Sequence, residues 1–221
     1  MSRPPVRLVL ASASAARRHT LQRAGIDPTV VVSDVDEDRV LAEATARHGN
    51  LEPADVALLL ARAKAEAVAY GADTTGDLVV GCDSVLELDG QALGKPADTD
   101  DAVSRWRAMR GRSGVLHTGH WLVDLRHESD GGSGATLGAT ASTVVHFANL
   151  TDAEIEAYVA TGEPLRVAGA FTVDGLGGAF VTAIEGDYHT VVGISLPLLR
   201  ELTAEAGIGW FDLTRRTPST P

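Results

Sequence analysis

The sequence predicts an α/β protein. Short β-branched runs alternate along the chain with segments of helical periodicity. A length of 221 residues suits one large domain or two small lobes. A composition of 44% hydrophobic and 22% charged residues supports a real core.

Residues 6–12 read as a strand running into a loop. Ser12 and Ser14 follow, then Arg17, Leu21, Ala24 and the stop Gly25. Ser14 is a good N-cap and Gly25 a good helix terminator. This strand, Ser-rich turn and helix could be a capped helix with solvated arginines. It could also hold an anion, since two hydroxyls, Arg17 and free helix-start amides would surround a phosphate. It is not a P-loop, because Gly-x-x-x-x-Gly-Lys-Ser/Thr is absent.

Residues 30–32 read as a second strand, followed by an acidic run of Asp34, Asp36, Glu37 and Asp38. Such a run is usually a solvated loop, and alternatively supplies a carboxylate to a hard divalent cation. Residues 53–70 are the clearest helix. Pro53 opens it, Gly71 closes it, and Val56, Leu59, Leu60, Ala63, Ala67 and Tyr70 form a stripe. Lys64 sits at the flank of that stripe, placed to snorkel or to reach a cleft beside the sheet.

Residues 79–98 are the centre of the reading. Val79 and Val80 belong to a buried strand, yet Asp83 appears where the strand should stay apolar. Gly81 allows another backbone to come close. Asp89-Gly90 is a hairpin turn that folds the chain back through Leu93 to Gly94-Lys95-Pro96, towards Asp83. By itself this is equally a surface hairpin with an ordinary salt bridge.

A helix over 99–110 carries Val103, Trp106 and Met109, with Trp106 in the core or a lid. A flexible turn over 111–114 leaves Arg112 free to close over an anion. Residues 115–125 and 139–147 read as two strands of a hairpin with a mobile Gly/Ser/Asp-rich connection. Thr151 to Glu154 is a capping box that starts a helix at Asp152. Residues 167–194 are Gly-rich and read as strands over 170–173, 179–184 and 190–194. Pro197 opens a last helix, and 212–221 is expected to be a flexible tail.

Several classes are excluded. The formal charge of −11 argues against general nucleic-acid binding. No apolar run is long enough to span a membrane, and the first residues lack the apolar stretch of a signal peptide. The lone Cys82 forbids an intramolecular disulfide and fits a cytoplasmic setting. It is read as a small buried residue. There is no His-Glu-x-x-His or paired Cys for zinc, and no Gly-x-Ser-x-Gly elbow.

Taken together, the motifs resemble those of the Maf-like nucleotide pyrophosphatases over nearly the whole chain. Leu10-Ala-Ser12-Ala-Ser14-x-x-Arg17 is similar to the family's opening Ser-x-Ser-x-x-Arg. Asp36-Glu37, Leu60-Ala-x-x-Lys64-Ala, Gly81-x-Asp83-Ser84-Val85 and Gly94-Lys95-Pro96 follow in the family's order. Thr118-Gly119, Gly162-Glu163-Pro164 with Ala168-Gly169, and Gly186-Asp187 with Val191-Val192-Gly193 complete it.

The resemblance implies an inosine triphosphatase-like, Maf-type fold. That is a mixed β-sheet flanked by helices, with a cleft between two lobes, here one domain over 1–211. It implies hydrolysis of nucleoside triphosphates, including non-canonical or modified ones, to the monophosphate and pyrophosphate with a divalent cation, Mg2+ or Mn2+. Ser12, Ser14, Arg17, Lys64 and Lys95 would hold the polyphosphate, with Arg112 as a further cation. Glu37 and Asp83 would flank metal and water, Asp83 as proton acceptor and Lys64 within the catalytic group. A free Asp titrates near ~3.9, so a metal, a raised Asp pKa or both are needed at neutral pH.

The chain also departs from the family's pattern. Ala15-Ala16 replaces a frequent Pro-Arg, Ser84 a frequent Thr, and Asp174 lies near a frequent Gln. Ala16, Ser84 and Asp174 occupy positions linked to base choice. Gly114 and Val167 stand where a His and a Lys are usual, and Arg112 or Arg166 would compensate. The family also implies a homodimer. The alternative to an enzyme is a catalytically weak nucleotide-binding regulator of cell division or septum formation, and the blandest reading is an acidic domain that binds a partner protein.

Overall fold

The computed structural model describes residues 6–71 and 73–214. In chain order the elements are β1 (Leu8–Ala11), α1 (Ala15–Arg23), β2 (Thr29–Val30), α2 (Glu37–His48), α3 (Pro53–Gly71), β3 (Leu78–Leu88) and β4 (Gln91–Leu93). Then come α4 (Thr99–Met109), β5 (Ser113–Asp124), β6 (Thr136–Phe147), α5 (Asp152–Ala160), β7 (Val181–Glu185), α6 (Tyr188–Val192) and α7 (Leu196–Glu205).

The seven strands form one mixed sheet in the order β2-β1-β3-β5-β6-β7, with β4 added beside β3. β1 is parallel to both β2 and β3, whereas β3, β5, β6 and β7 pair antiparallel. The α/β class and the mixed sheet flanked by helices are therefore as expected.

The 11-residue β3 is the axis of the fold. Along one edge, β1 covers it only from Leu78 to Gly81, and β4 covers it only from Leu86 to Leu88. Among the described residues, no strand covers 82–85 on that edge. Side chains alternate faces along a strand, so Asp83 and Ser84 leave this gap towards opposite faces. On the Asp83 face, α3 lies directly against the sheet. A Cβ added at Gly81 would stand 2.3 Å from the Ala61 carbonyl oxygen, and one at Gly119 would stand 2.3 Å from that of Ala57. Glycine at these two positions is what permits the approach.

Three hydrophobic clusters hold the layers. Leu10, Val80, Leu122 and Leu199 join α1 and α7 to one face, and Val9, Ala65, Val68 and Val79 join α3 to the other. At the far end of the long strands, Leu86, Trp106, Phe147 and Tyr158 build a separate core with α4 and α5. Trp106 is fully buried, donates from Nε1 to the Ala170 carbonyl at 2.8 Å, and meets Phe147, Tyr158 and Phe180 edge to face. It belongs to the core.

The structure corrects several expectations. The acidic run is loop only as far as Asp34 and Asp36. Asp36 caps α2, its carboxylate accepting from the Arg39 amide at 2.9 Å, and Glu37 and Asp38 fill the first turn, where the helix dipole favours them. Residues 170–173 are not a strand, and 190–194 enter the short helix α6, which Asp187 caps. The connection after β5 is pinned rather than loose. Asp124 accepts from buried Arg126 at 2.8 Å and from the amide and hydroxyl of Ser133, both at 2.8 Å. The fold also runs past 211. Leu213 is buried in the core, and the Val6 amide donates to the Asp212 carbonyl. The rest of the expected tail, 215–221, lies outside the described residues.

Candidate active site

The gap in the edge of β3 collects charged and hydroxyl groups from four elements. On the α3 face, Lys64 Nζ lies 2.5 Å from Asp83 Oδ1 and 2.8 Å from Glu37 Oε1. Asp83 is buried at 8% exposure, and the Lys64 side chain retains 13%. Lys64 reaches this point because α3 rides close over Gly81. Burial pushes the Asp83 carboxyl above its ordinary pKa, against the opposing pull of Lys64 and Arg17.

On the opposite face, Arg17 crosses from α1. Its Nε donates to the Gly193 carbonyl at 2.7 Å. Nη1 donates to Ser12 Oγ at 3.0 Å and to the Cys82 carbonyl at 2.8 Å, and Nη2 donates to Ser84 Oγ at 3.1 Å. The Cys82 carbonyl lies in the uncovered stretch of β3, so Arg17 provides a partner that a neighbouring strand would otherwise supply. Four of the five guanidinium N–H groups are thus engaged within the protein. Ser12 Oγ also accepts from the Ser14 amide at 3.2 Å, and Ser14 Oγ accepts from the Arg17 amide at 3.3 Å as the cap of α1.

Ser84 is held tightly. Thr118 Oγ1 donates to the Thr190 carbonyl at 2.9 Å, so across the 2.8 Å contact it is Ser84 that donates to Thr118. This relay of Arg17, Ser84, Thr118 and Thr190 ties α1, β3, β5 and α6 together. Thr118 and Thr190 carried no expected role. Neighbouring Cys82 is fully buried, and burial pushes its thiol up to about 12, which suits an inert packing residue.

Ala16 and Asp174 meet in a second feature. Together with His19, Thr20, Tyr188 and His189 they line a groove of about 210 Å³ along α1 and α6. Sequence separation hides this meeting, which depends on the loop before β7.

Two expected cations stand apart from these clusters. Arg112 pairs with Asp89 at the hairpin tip and donates to the Ala108 carbonyl. Lys95 is exposed and has no hydrogen-bond or ion-pair partner among the described residues. Its segment is anchored all the same, because the Gly94 carbonyl accepts from the Gly169 amide at 3.0 Å and from Arg105 Nη1 at 2.7 Å. Arg166 is likewise exposed. Among the described residues, Glu37 and Asp83 form the acidic pair at this site, and no cluster of three or more His, Cys, Asp or Glu side chains is placed to hold a metal. No helix among them is long and apolar enough to cross a membrane.

A family model described as Maf-like protein matches residues 7–206. A protein named nucleoside triphosphate pyrophosphatase from Salinispora tropica is 57% identical over 219 residues, covering 98% of this chain and 91% of the relative. One of the same name from Streptomyces avermitilis is 54% identical over 206 residues, 93% of each chain. Among solved structures, the Ham1 protein of Staphylococcus aureus is 16% identical, with a TM-score of 0.38 over 65% of this chain and 72% of that one.

Proposed function

The chain belongs to the Maf-like protein family, and from that premise we propose that it is a nucleoside triphosphate pyrophosphatase working at the gap in β3. The observation that carries this reading is the convergence of Lys64 on Asp83 and Glu37 beside the Ser12–Arg17 cradle.

The reaction is NTP plus water giving NMP, pyrophosphate and a proton. Water oxygen attacks phosphorus in the α–β anhydride, the bridging P–O bond breaks, and pyrophosphate leaves. Asp83 accepts the proton of the attacking water, a role favoured by the upward push of burial on its pKa. Lys64 holds the carboxylates in place and brings positive charge to the phosphates. Ser12, Ser14 and the first turn of α1 face the polyphosphate with hydroxyl and amide donors. Arg17 contributes its charge and its one remaining N–H while fixing the cradle. Lys95 is free to reach the outer phosphates.

The two carboxylates drawn to Lys64 offer oxygen ligands of the kind a hard divalent ion would take. Glu37 and Asp83 are the residues that would hold Mg2+ or Mn2+, and the ion when bound lowers the pKa of water and offsets phosphate charge. A buried, unpaired Cys82 fits a reducing, cytoplasmic compartment.

The test is pyrophosphate release from a panel of ordinary and modified triphosphates with saturating magnesium or manganese. The expected result is release from at least one of them, lowered roughly 10²–10⁴-fold in Asp83→Asn. No release from any triphosphate, or near-full turnover by Asp83→Asn, overturns the reading.

A further inference from the structure

Lys95 joins a free side chain to a tightly held backbone. The peptide groups on both sides of it are pinned. The Gly94 carbonyl accepts from Arg105 Nη1 at 2.7 Å and from the Gly169 amide at 3.0 Å, which occupies both of its lone pairs. On the other side, Pro96 is buried and biases Lys95 towards extended backbone. The Ala97 amide then donates to Asp101 Oδ2 at 2.9 Å.

The side-chain pins belong to one unit. Asp101 and Arg105 lie one turn apart on α4 and form a two-pronged pair, with Nε donating to Oδ1 at 2.9 Å and Nη2 to Oδ2 at 2.7 Å. That leaves Nη1 for Gly94. Asp98 caps the helix beneath them, accepting from the Asp101 amide at 2.9 Å. The next residue, Trp106, is fully buried, so the unit stands on the core of the α4 lobe. The Arg105 fork, helped by the Ala97 amide, holds the Asp101 carboxyl below its ordinary pKa, so the pair is ionised at neutral pH. Gly169 approaches from β3, since a Cβ added there would stand 2.6 Å from Leu86 Cβ.

β4 is antiparallel to β3, and Leu93 is paired with Leu86. The chain leaving Leu93 therefore heads along the β3 edge towards the uncovered residues 82–85. Fixing the backbone of one residue costs about 1–2 kcal/mol of conformational entropy. The Lys95 side chain makes no hydrogen bond or ion pair among the described residues that would repay this order. The order serves a group from outside the protein that meets the ammonium.

We propose that Asp101 and Arg105 are positioning residues that hold Lys95 at the mouth of the gap, so that its ammonium meets the outer phosphates of the triphosphate. Holding the anchor in advance spares the substrate the cost of ordering it. The proposal rests on the triphosphatase reading, since it takes Lys95 as a phosphate ligand.

The experiment is calorimetric titration, in magnesium, with methylenediphosphonate. This probe has two phosphorus groups joined by a carbon bridge that water does not cleave, and it stands in for the outer phosphates. Lys95→Met is expected to weaken binding roughly tenfold, the scale of one lost hydrogen bond to a charged group. Arg105→Met should weaken it about fivefold, yet by no more than about twofold further in the Lys95→Met background, because the two act as one. Arg105→Lys keeps the charge without the fork and should lose as much as Arg105→Met. Asp101→Asn, which leaves Arg105 in place, should give the same pattern even if Arg105→Met fails to fold. Independent, additive losses, full binding by Arg105→Lys, unchanged binding by Lys95→Met, or no binding by the wild-type chain overturns the proposal. Additive losses beside intact pyrophosphate release leave the hydrolytic reading standing. The expected pattern with no pyrophosphate release from any triphosphate overturns the hydrolytic reading alone.

Discussion

Lys64 Nζ lies 2.5 Å from Asp83 Oδ1, so the carboxylate proposed as proton acceptor carries its own buried counter-charge. The two oppose each other in setting the Asp83 pKa. Burial raises it, and the ammonium lowers it. Lys64→Met removes the lowering influence. Without that ammonium the carboxyl keeps its proton to higher pH. The acid limb of the kcat/KM–pH profile of Lys64→Met is therefore expected to move to higher pH. A profile with an unmoved acid limb would mean that Asp83 is not the group titrating there.

Arg17 is as much a strut as a ligand. It partners the carbonyls of Cys82 and Gly193 and the hydroxyls of Ser12 and Ser84. Lysine has no planar fork with which to reach all four. Orphaning a buried acceptor costs roughly 1–3 kcal/mol. With two carbonyls left unpaired, Arg17→Lys is expected to lose about 2–6 kcal/mol in urea unfolding. The loss should be the same with and without nucleotide analogue if the role is mainly structural. A variant as stable as the wild type would show that water satisfies those carbonyls.

Acid should destabilise the protein in two steps. His120 is fully buried, Nδ1 donates to the Thr118 carbonyl at 3.0 Å, and Nε2 accepts from the Ser195 amide at 2.8 Å. A proton on Nε2 would break the second bond. Burial lowers the His120 pKa from 6.5 to about 4. The unfolded chain therefore binds the proton first, and stability falls as pH drops from 6.5 towards about 4, by about 3 kcal/mol in all. Asp124 follows. Burial pushes it up, but Arg126 and Ser133 outweigh that and hold it at about 2, so its contribution is lost as pH falls from 3.8 towards about 2. Urea midpoints measured from pH 7 to 3 should show the first loss, and His120→Gln, which keeps an acceptor, should flatten it.

The legible parts of the fold were those with local chemical punctuation. Ser14 and Gly25 bracket α1, Pro53 opens α3, Asp89-Gly90 turns the β3–β4 hairpin, and Thr151 with Glu154 forms a complete capping box. The stripe read in α3 is turned from the real one: of Val56, Leu59, Leu60, Ala63, Ala67 and Tyr70 only Leu60 is buried, while Ala57, Ala61, Ala65 and Val68 face the sheet, so Lys64 falls within the buried face and not at its flank. α2 was hidden because none of its residues is buried, so it has no strong apolar stripe, although Asp36 ahead of Glu37 and Asp38 is an N-cap signal. In α6, the β-branched Thr190, Val191 and Val192 favour a strand, but the Asp187 cap and the left-handed Gly193 make a five-residue helix. The pairing of Arg112 with Asp89 depends on distant loop placement and leaves no periodic trace.

Gly81 links packing to chemistry most directly. Its missing Cβ lets α3 settle on β3, where Ala61 O would be 2.3 Å and Ala65 N 2.7 Å from an added carbon. These are backbone atoms, so Gly81→Ala must lift the helix or bend the strand. Overpacking of this kind costs roughly 1–3 kcal/mol. The same displacement draws Lys64 away from Asp83, which lies two residues along the same face of β3. Gly81→Ala is expected to lower thermal stability and pyrophosphate release together. Gly119→Ala, which strikes α3 near Ala57 instead, should lower stability with a smaller loss of activity per kcal/mol. Equal losses per kcal/mol would show that the activity follows global stability, and not the reach of Lys64 to Asp83.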